Sequence, residues 1–172
     1  SRGLGDVYKR QVLFKIGDYI THPMHGAGVI ESIVTKKING SQRDYYVLKL
    51  PVGDMVVMVP VSGCEDIGVR SIISRSEAEK LFSAFSEIEI SMTQNWNKRY
   101  RENMDKIKSG NLLDVASVVK GLMCRDSERG LSTSERKMLH SAKQILISEL
   151  VIATDMDYDG VEKRLCAALK EG

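Results

Sequence analysis

The sequence predicts an α+β protein: a small N-terminal SH3-like or Tudor-like β-barrel followed by an all-α C-terminal helical domain. Three observations carry this. Short runs of β-branched and aromatic residues fill the stretch from Phe14 to Ile73. Helix-cap signatures replace them from Ser74 onward. At 172 residues and 42% hydrophobic, the chain has material for one ordinary domain or two small ones, without the compositional bias of a disordered protein.

Five short strands are read in order at Asp18 to His22, Gly28 to Lys36, Tyr45 to Leu50, Met55 to Val61 and Val69 to Ile73. Asn39-Gly40, between the second and third, tolerates positive φ and favours a tight hairpin turn, while Pro51-Val52-Gly53-Asp54 turns the third strand into the fourth. About sixty residues of this kind cannot bury a two-sheet sandwich, so closure into a small barrel over residues 12–73 is the expected solution. Residues 1–11 carry glycine and charge without periodicity; they resemble a translated adaptor tail and are left out of the fold reasoning.

The helical domain is assigned to residues 74–172. Ser74 with Glu77, Asn111 with Asp114, Ser132 with Glu135 and Asp159 with Glu162 each place a short acceptor three residues before an acidic side chain, which marks four helix starts. A further helix is expected to begin near Thr93. Residues 135–153 place Leu139, Ala142, Leu146 and Ala153 on one helical face, as a bundle requires. Ser86 to Met92 lacks a helical period and separates the first helix from the one that follows.

Trp96 is the single tryptophan, and it stands in Gln94-Asn95-Trp96-Asn97-Lys98-Arg99-Tyr100-Arg101. Cations and amides around one large flat ring suit a side chain that stacks on a base or wedges into a base step while its neighbours hold phosphates. A second reading is open. Tyr100, Met104 and Ile107 follow at four, eight and eleven residues, the spacing of a buried helix face.

Composition and motifs narrow the function classes. A formal charge of +2 is too small for tight nonspecific DNA binding, which needs many phosphate contacts, so any nucleic-acid role is local or partner-assisted. Cys64, Cys124 and Cys166 form no CxxC pair and no even framework, which fits a reducing cytoplasm. His22-Pro23-Met24-His25 offers two imidazoles without a completing cluster, so no metal is expected there. Asp155-Met156-Asp157-Tyr158-Asp159-Gly160 copies half of a calcium loop, but Lys163 and Cys166 fall where the ninth and twelfth ligands belong, and a helix-to-helix turn capped by Asp159 is expected instead. With no P-loop, GxSxG or Rossmann glycine pattern, neither an enzyme nor a cofactor is expected.

An ordered set of short motifs runs through the chain. It comprises Phe14-x-x-Gly17-Asp18, Pro23-x-His25-Gly26-x-Gly28, Val59-Pro60-Val61 and Gly68-Val69-Arg70. It continues with Trp96-x-x-Arg99-Tyr100, Ser109-Gly110, Arg125-Asp126-x-Glu128-Arg129-Gly130-Leu131-Ser132 and Glu149-Leu150. This set resembles the CarD/CdnL family of bacterial transcription regulators over essentially everything after residue 11. The barrel half alone also resembles the polymerase-interacting part of transcription-repair coupling factors, but no motor motif accompanies it.

The resemblance implies that the barrel docks on the β subunit of RNA polymerase. It implies too that the helical domain contacts promoter DNA at the upstream edge of the opened bubble, with Trp96 as the wedge. Lys98, Arg99 and Arg101 are the phosphate partners it suggests, and Arg125 and Arg136 match more distant basic positions; each could equally be a solvated helix charge. For the polymerase contact Lys36 and Met58 occupy the matching positions, on an exposed sheet edge suited to strand addition. Some family members have arginine where this chain has Met58, so an ion pair made there by those relatives has no counterpart here. The alternative to a promoter regulator is a Tudor-like protein-interaction adaptor that does not touch DNA.

Overall fold

The computed structural model describes residues 14–171, so the tail expected over residues 1–11 lies outside the described residues. Alternation sets the sheet. In β3 (Ser41–Lys49) Tyr46 and Leu48 are buried, and their neighbours Tyr45 and Val47 are only half-buried. The other strands are β1 (Tyr19–His22), β2 (Gly26–Ile38), β4 (Val56–Pro60) and β5 (Arg70–Ser71). All pair antiparallel in the order β4-β3-β2-β1-β5.

Asn39 and Gly40 both take left-handed φ, 51° and 80°, as the expected β2–β3 turn requires. Ile20, Ile30, Tyr46, Leu48, Val59 and Val69 fill the core on one face of the sheet, with Phe14 over them. Closure differs from expectation. No ladder joins β4 to β5, and the sheet stays open because β5 is only two residues long and pairs with β1 alone.

Five helices follow: α1 (Arg75–Glu87), α2 (Trp96–Lys108), α3 (Leu112–Arg129), α4 (Thr133–Thr154) and α5 (Tyr158–Glu171). Ser74 and Glu77 form a reciprocal capping box at α1. Asn111 accepts from the Leu113 and Asp114 amides at α3, and Ser132 accepts from the Glu135 amide at α4. The fourth cap is corrected: Asp157, not Asp159, accepts from the Gly160 amide at 2.7 Å, because α5 begins at Tyr158 and Asp159 already lies inside it. The second half of the long α4 is buried on every side from residue 145 to 150, and Leu146, Ile147 and Leu150 lie at the centre of the helical core.

Candidate nucleic-acid interface

Two helix starts converge. Asn95 caps α2 through its side chain, accepting from the Lys98 amide at 3.0 Å, and this puts Trp96 at the first helical position. The start of α4 lies alongside, and the Trp96 indole N–H donates to the Ser132 hydroxyl at 3.4 Å. Beneath them, Arg99 in the first turn of α2 donates to Glu135 in the first turn of α4, Nε to Oε2 at 2.9 Å and Nη2 to Oε1 at 3.4 Å. Arg99 also donates through Nη1 to the carbonyls of Thr93 and Gln94, which fixes the approach to α2.

Trp96 as a residue is 41% exposed. One face of its ring stacks on Tyr100, with centroids 5.2 Å apart and planes 20° from parallel. The helix face read from the spacing therefore grades from an exposed Trp96, through half-buried Tyr100 and Met104, to a buried Ile107. The buried-face spacing thus holds toward the inner end of α2, while Trp96 at its start stays accessible to solvent.

The expected phosphate partners fare differently. Arg99 is corrected: at 2% exposure, with its guanidinium occupied by Glu135 and two carbonyls, it is a structural cation beyond the reach of a phosphate. Lys98 is exposed and lies 3.9 Å from Glu102, while Arg101 is exposed. At about 100° per residue, however, both project away from the Trp96–Tyr100 face of α2. Arg125 is half-buried in α3, and its charge helps to depress Glu135. Arg136 is exposed in the first turns of α4.

Burial pushes the Glu135 carboxyl up, but the hydrogen bond and charge of Arg99, with Arg125 and Ser132 behind them, hold it below the ordinary carboxylate range. Sequence reasoning missed Ser132 as the indole's partner, because 36 residues separate the two. It missed Arg129 too, an exposed cation that donates to the Gln94 side chain at 3.4 Å, two residues from Trp96. Lys137 and His140, exposed beside Arg136, extend the polar surface along α4.

In the sheet, Lys36 pairs with Arg43, and Met58 with Val47. Cross-strand partners and alternate residues share a face, so Lys36, Arg43, Val47 and Met58 all lie on the face opposite the Tyr46–Leu48 core. Lys36 is two strands in from the β4 edge, so the pair shares a surface rather than a contact. The β4 edge, Val56-Val57-Met58-Val59-Pro60, carries no charge. His22 and His25 lie with ring centroids 4.6 Å apart, and the His22 Nδ1 accepts from the Met24 amide. Among the described residues no group of three or more His, Cys, Asp or Glu could hold a metal ion, and no helix is long and apolar enough to cross a membrane.

These features define an α+β protein in which an open-edged sheet and a helical bundle, each with its own core, accompany an exposed aromatic ring at two coupled helix starts. The comparisons give it a family. The model described as CarD-like/TRCF RID domain matches residues 14–73, and the model described as CarD, C-terminal domain matches residues 80–166. A Bacillus subtilis (strain 168) protein, "Putative transcription factor YdeB", is 38% identical over 140 residues, covering 81% of this chain and 92% of that protein. The chain belongs to the CarD family, and at the level of the family its role is transcription regulation.

Proposed function

We propose that this protein docks on the β subunit of RNA polymerase through its sheet and stabilises the open promoter complex by applying Trp96 to DNA at the upstream bubble edge. The observation that carries this reading is the half-exposed ring of Trp96, backed on one side by Tyr100 and oriented by Ser132. An indole held in one orientation loses little freedom when it meets a base. Both nearby helix starts present their positive ends, which favour phosphate, and Arg136, Arg129 and Arg125 supply further cations, with Lys98 and Arg101 on the outer side of α2.

Support for docking is the uncharged β4 edge. Natural sheets usually guard an exposed edge with charge or cover it with another chain. Met58, Val47 and Tyr45 give an apolar strip beside that edge, and Lys36 and Arg43 give cations on the same face. On this reading Met58 offers the partner an apolar contact in place of the ion pair that the family resemblance implies for arginine at that position.

The test is Trp96→Ala in the full chain, scored by polymerase capture and by open-complex lifetime on linear promoter DNA. The expected result is unchanged capture and a shortened lifetime. An unchanged lifetime overturns the DNA role and leaves a protein-interaction adaptor; lost capture on Met58→Glu, with the fold intact, separately tests the docking face.

A further inference from the structure

Two pieces of the family pattern, 79 residues apart in sequence, meet where the sheet rests on α4. Arg70 of β5 donates to Glu149 through Nη1 at 2.7 Å and through Nη2 at 3.0 Å. The Ile73 amide, in the segment between the domains, donates to the same carboxylate at 2.9 Å. The Glu149 side chain has no exposed surface. One residue earlier, the Ser148 hydroxyl accepts from the Ala27 amide at 2.9 Å. A Cβ on Gly26, whose φ is +99°, would collide with that hydroxyl and crowd the α4 backbone at Gln144 and Ile145, so the β1–β2 turn lies directly on the helix.

A carboxylate removed from water is an expensive way to join two domains, since apolar contact alone would hold them together. A bidentate arginine–carboxylate pair adds orientation, because both N–H bonds are satisfied in only a narrow range of angles. We propose that Arg70, Glu149 and Ser148 are positioning residues that lock the sheet and the bundle into one rigid body, so that docking on polymerase aims Trp96. This inference rests on the functional reading above. Seventeen residues of α4 separate Ser132, which holds the indole, from Glu149; at about 1.5 Å per residue that is a lever of about 25 Å. A rotation of about 10° at the clamp then moves the ring by about 4 Å, more than the rise of about 3.4 Å between stacked bases.

The test uses the full chain with Arg70→Ala and Arg70→Lys, the latter keeping the charge without the fork. Three readouts are compared: polymerase capture, open-complex lifetime, and domain tumbling from NMR amide relaxation. Arg70→Ala is expected to leave capture unchanged, to let the two domains tumble separately, and to cut the lifetime gain by about threefold to tenfold. Arg70→Lys should fall between Arg70→Ala and the parent. Full lifetime with separately tumbling domains overturns the inference, as does continued single-body tumbling in Arg70→Ala. Should circular dichroism show that Arg70→Ala melts the bundle, Ser148→Ala, which removes the acceptor of the Ala27 amide together with a local bond to the Ile145 carbonyl within α4, is read against the same two outcomes. Trp96→Ala is run in parallel: if it also leaves the lifetime unchanged, the functional reading fails, whereas if it alone shortens the lifetime, only the clamp fails.

Discussion

Replacing Glu135 with alanine strands Arg99 inside the bundle. Arg99 is 2% and Glu135 3% exposed, so the variant leaves a buried cation with two backbone carbonyls and no counter-charge. Breaking one side of a buried pair costs about 3–5 kcal/mol, a large share of the roughly 5–15 kcal/mol that holds a typical domain together. Replacing both partners, as Arg99→Met with Glu135→Met, removes both desolvation penalties and is expected to be near neutral.

Urea unfolding at neutral pH, followed by the fluorescence of the single tryptophan, measures both variants against the parent. A loss below about 1 kcal/mol for Glu135→Ala would place the pair with weak surface bridges and refute the reasoning. The pH dependence has a definite sign. A folded-state carboxyl held below its ordinary value adds stability that is present above about pH 4.5 and is lost as pH falls through the depressed value. The stability gap between the parent and Glu135→Gln should therefore narrow in acid. The same pair decides the role of Arg99. A phosphate ligand, when removed, lowers the salt slope of DNA binding by about one unit, whereas the Arg99→Met, Glu135→Met double variant is expected to keep the parent slope.

Ser132→Ala removes both the cap of α4 and the partner of the indole. It should cost about 1 kcal/mol in urea unfolding and shift the Trp96 emission, and an unshifted spectrum would show that the hydroxyl does not orient the ring. Gly28→Ala places a Cβ on the Lys49 carbonyl across the β2–β3 pairing; the expected cost is about 3 kcal/mol, and a thermal midpoint equal to that of the parent would show that the strands yield more easily than their pairing implies.

Periodicity and capping are local, and they made most of the fold legible. Tyr46 and Leu48 announce a half-buried strand, Asn39-Gly40 a hairpin, and the Ser74, Asn111 and Ser132 caps the helix starts. Asp159 was a poor marker because Asp155, Asp157 and Asp159 all offer short acceptors, and only the backbone path, with Asp155 ending α4 in a left-handed conformation, selects Asp157. Sheet closure was not legible either, since it depends on how long β5 can pair.

At the candidate site the ring could be read and its surroundings could not. Arg99 looks like Lys98 and Arg101 in sequence. Its burial follows from a helical phase that points it at Glu135, 36 residues away. Sequence-adjacent cations are therefore a poor guide to the surface beside Trp96, where Arg129 arrives from another helix to meet Gln94.

The energetics of one ring explain why such a surface would suffice for the proposed role. Stacking on an aromatic side chain contributes about 1–3 kcal/mol per base, while unstacking a duplex step costs a few kcal/mol. An indole alone therefore gains little from intact DNA, and a protein with a net charge of +2 adds no strong general attraction. At the edge of an opened bubble the unstacking has already occurred, so the same ring gains its full contact there and not in the closed duplex. Only such a difference moves the equilibrium between the two. In the proposed function, docking on polymerase supplies the local concentration that the protein's own charge does not, and a weak affinity for DNA is then an advantage, since it would not hold the protein on closed duplex elsewhere.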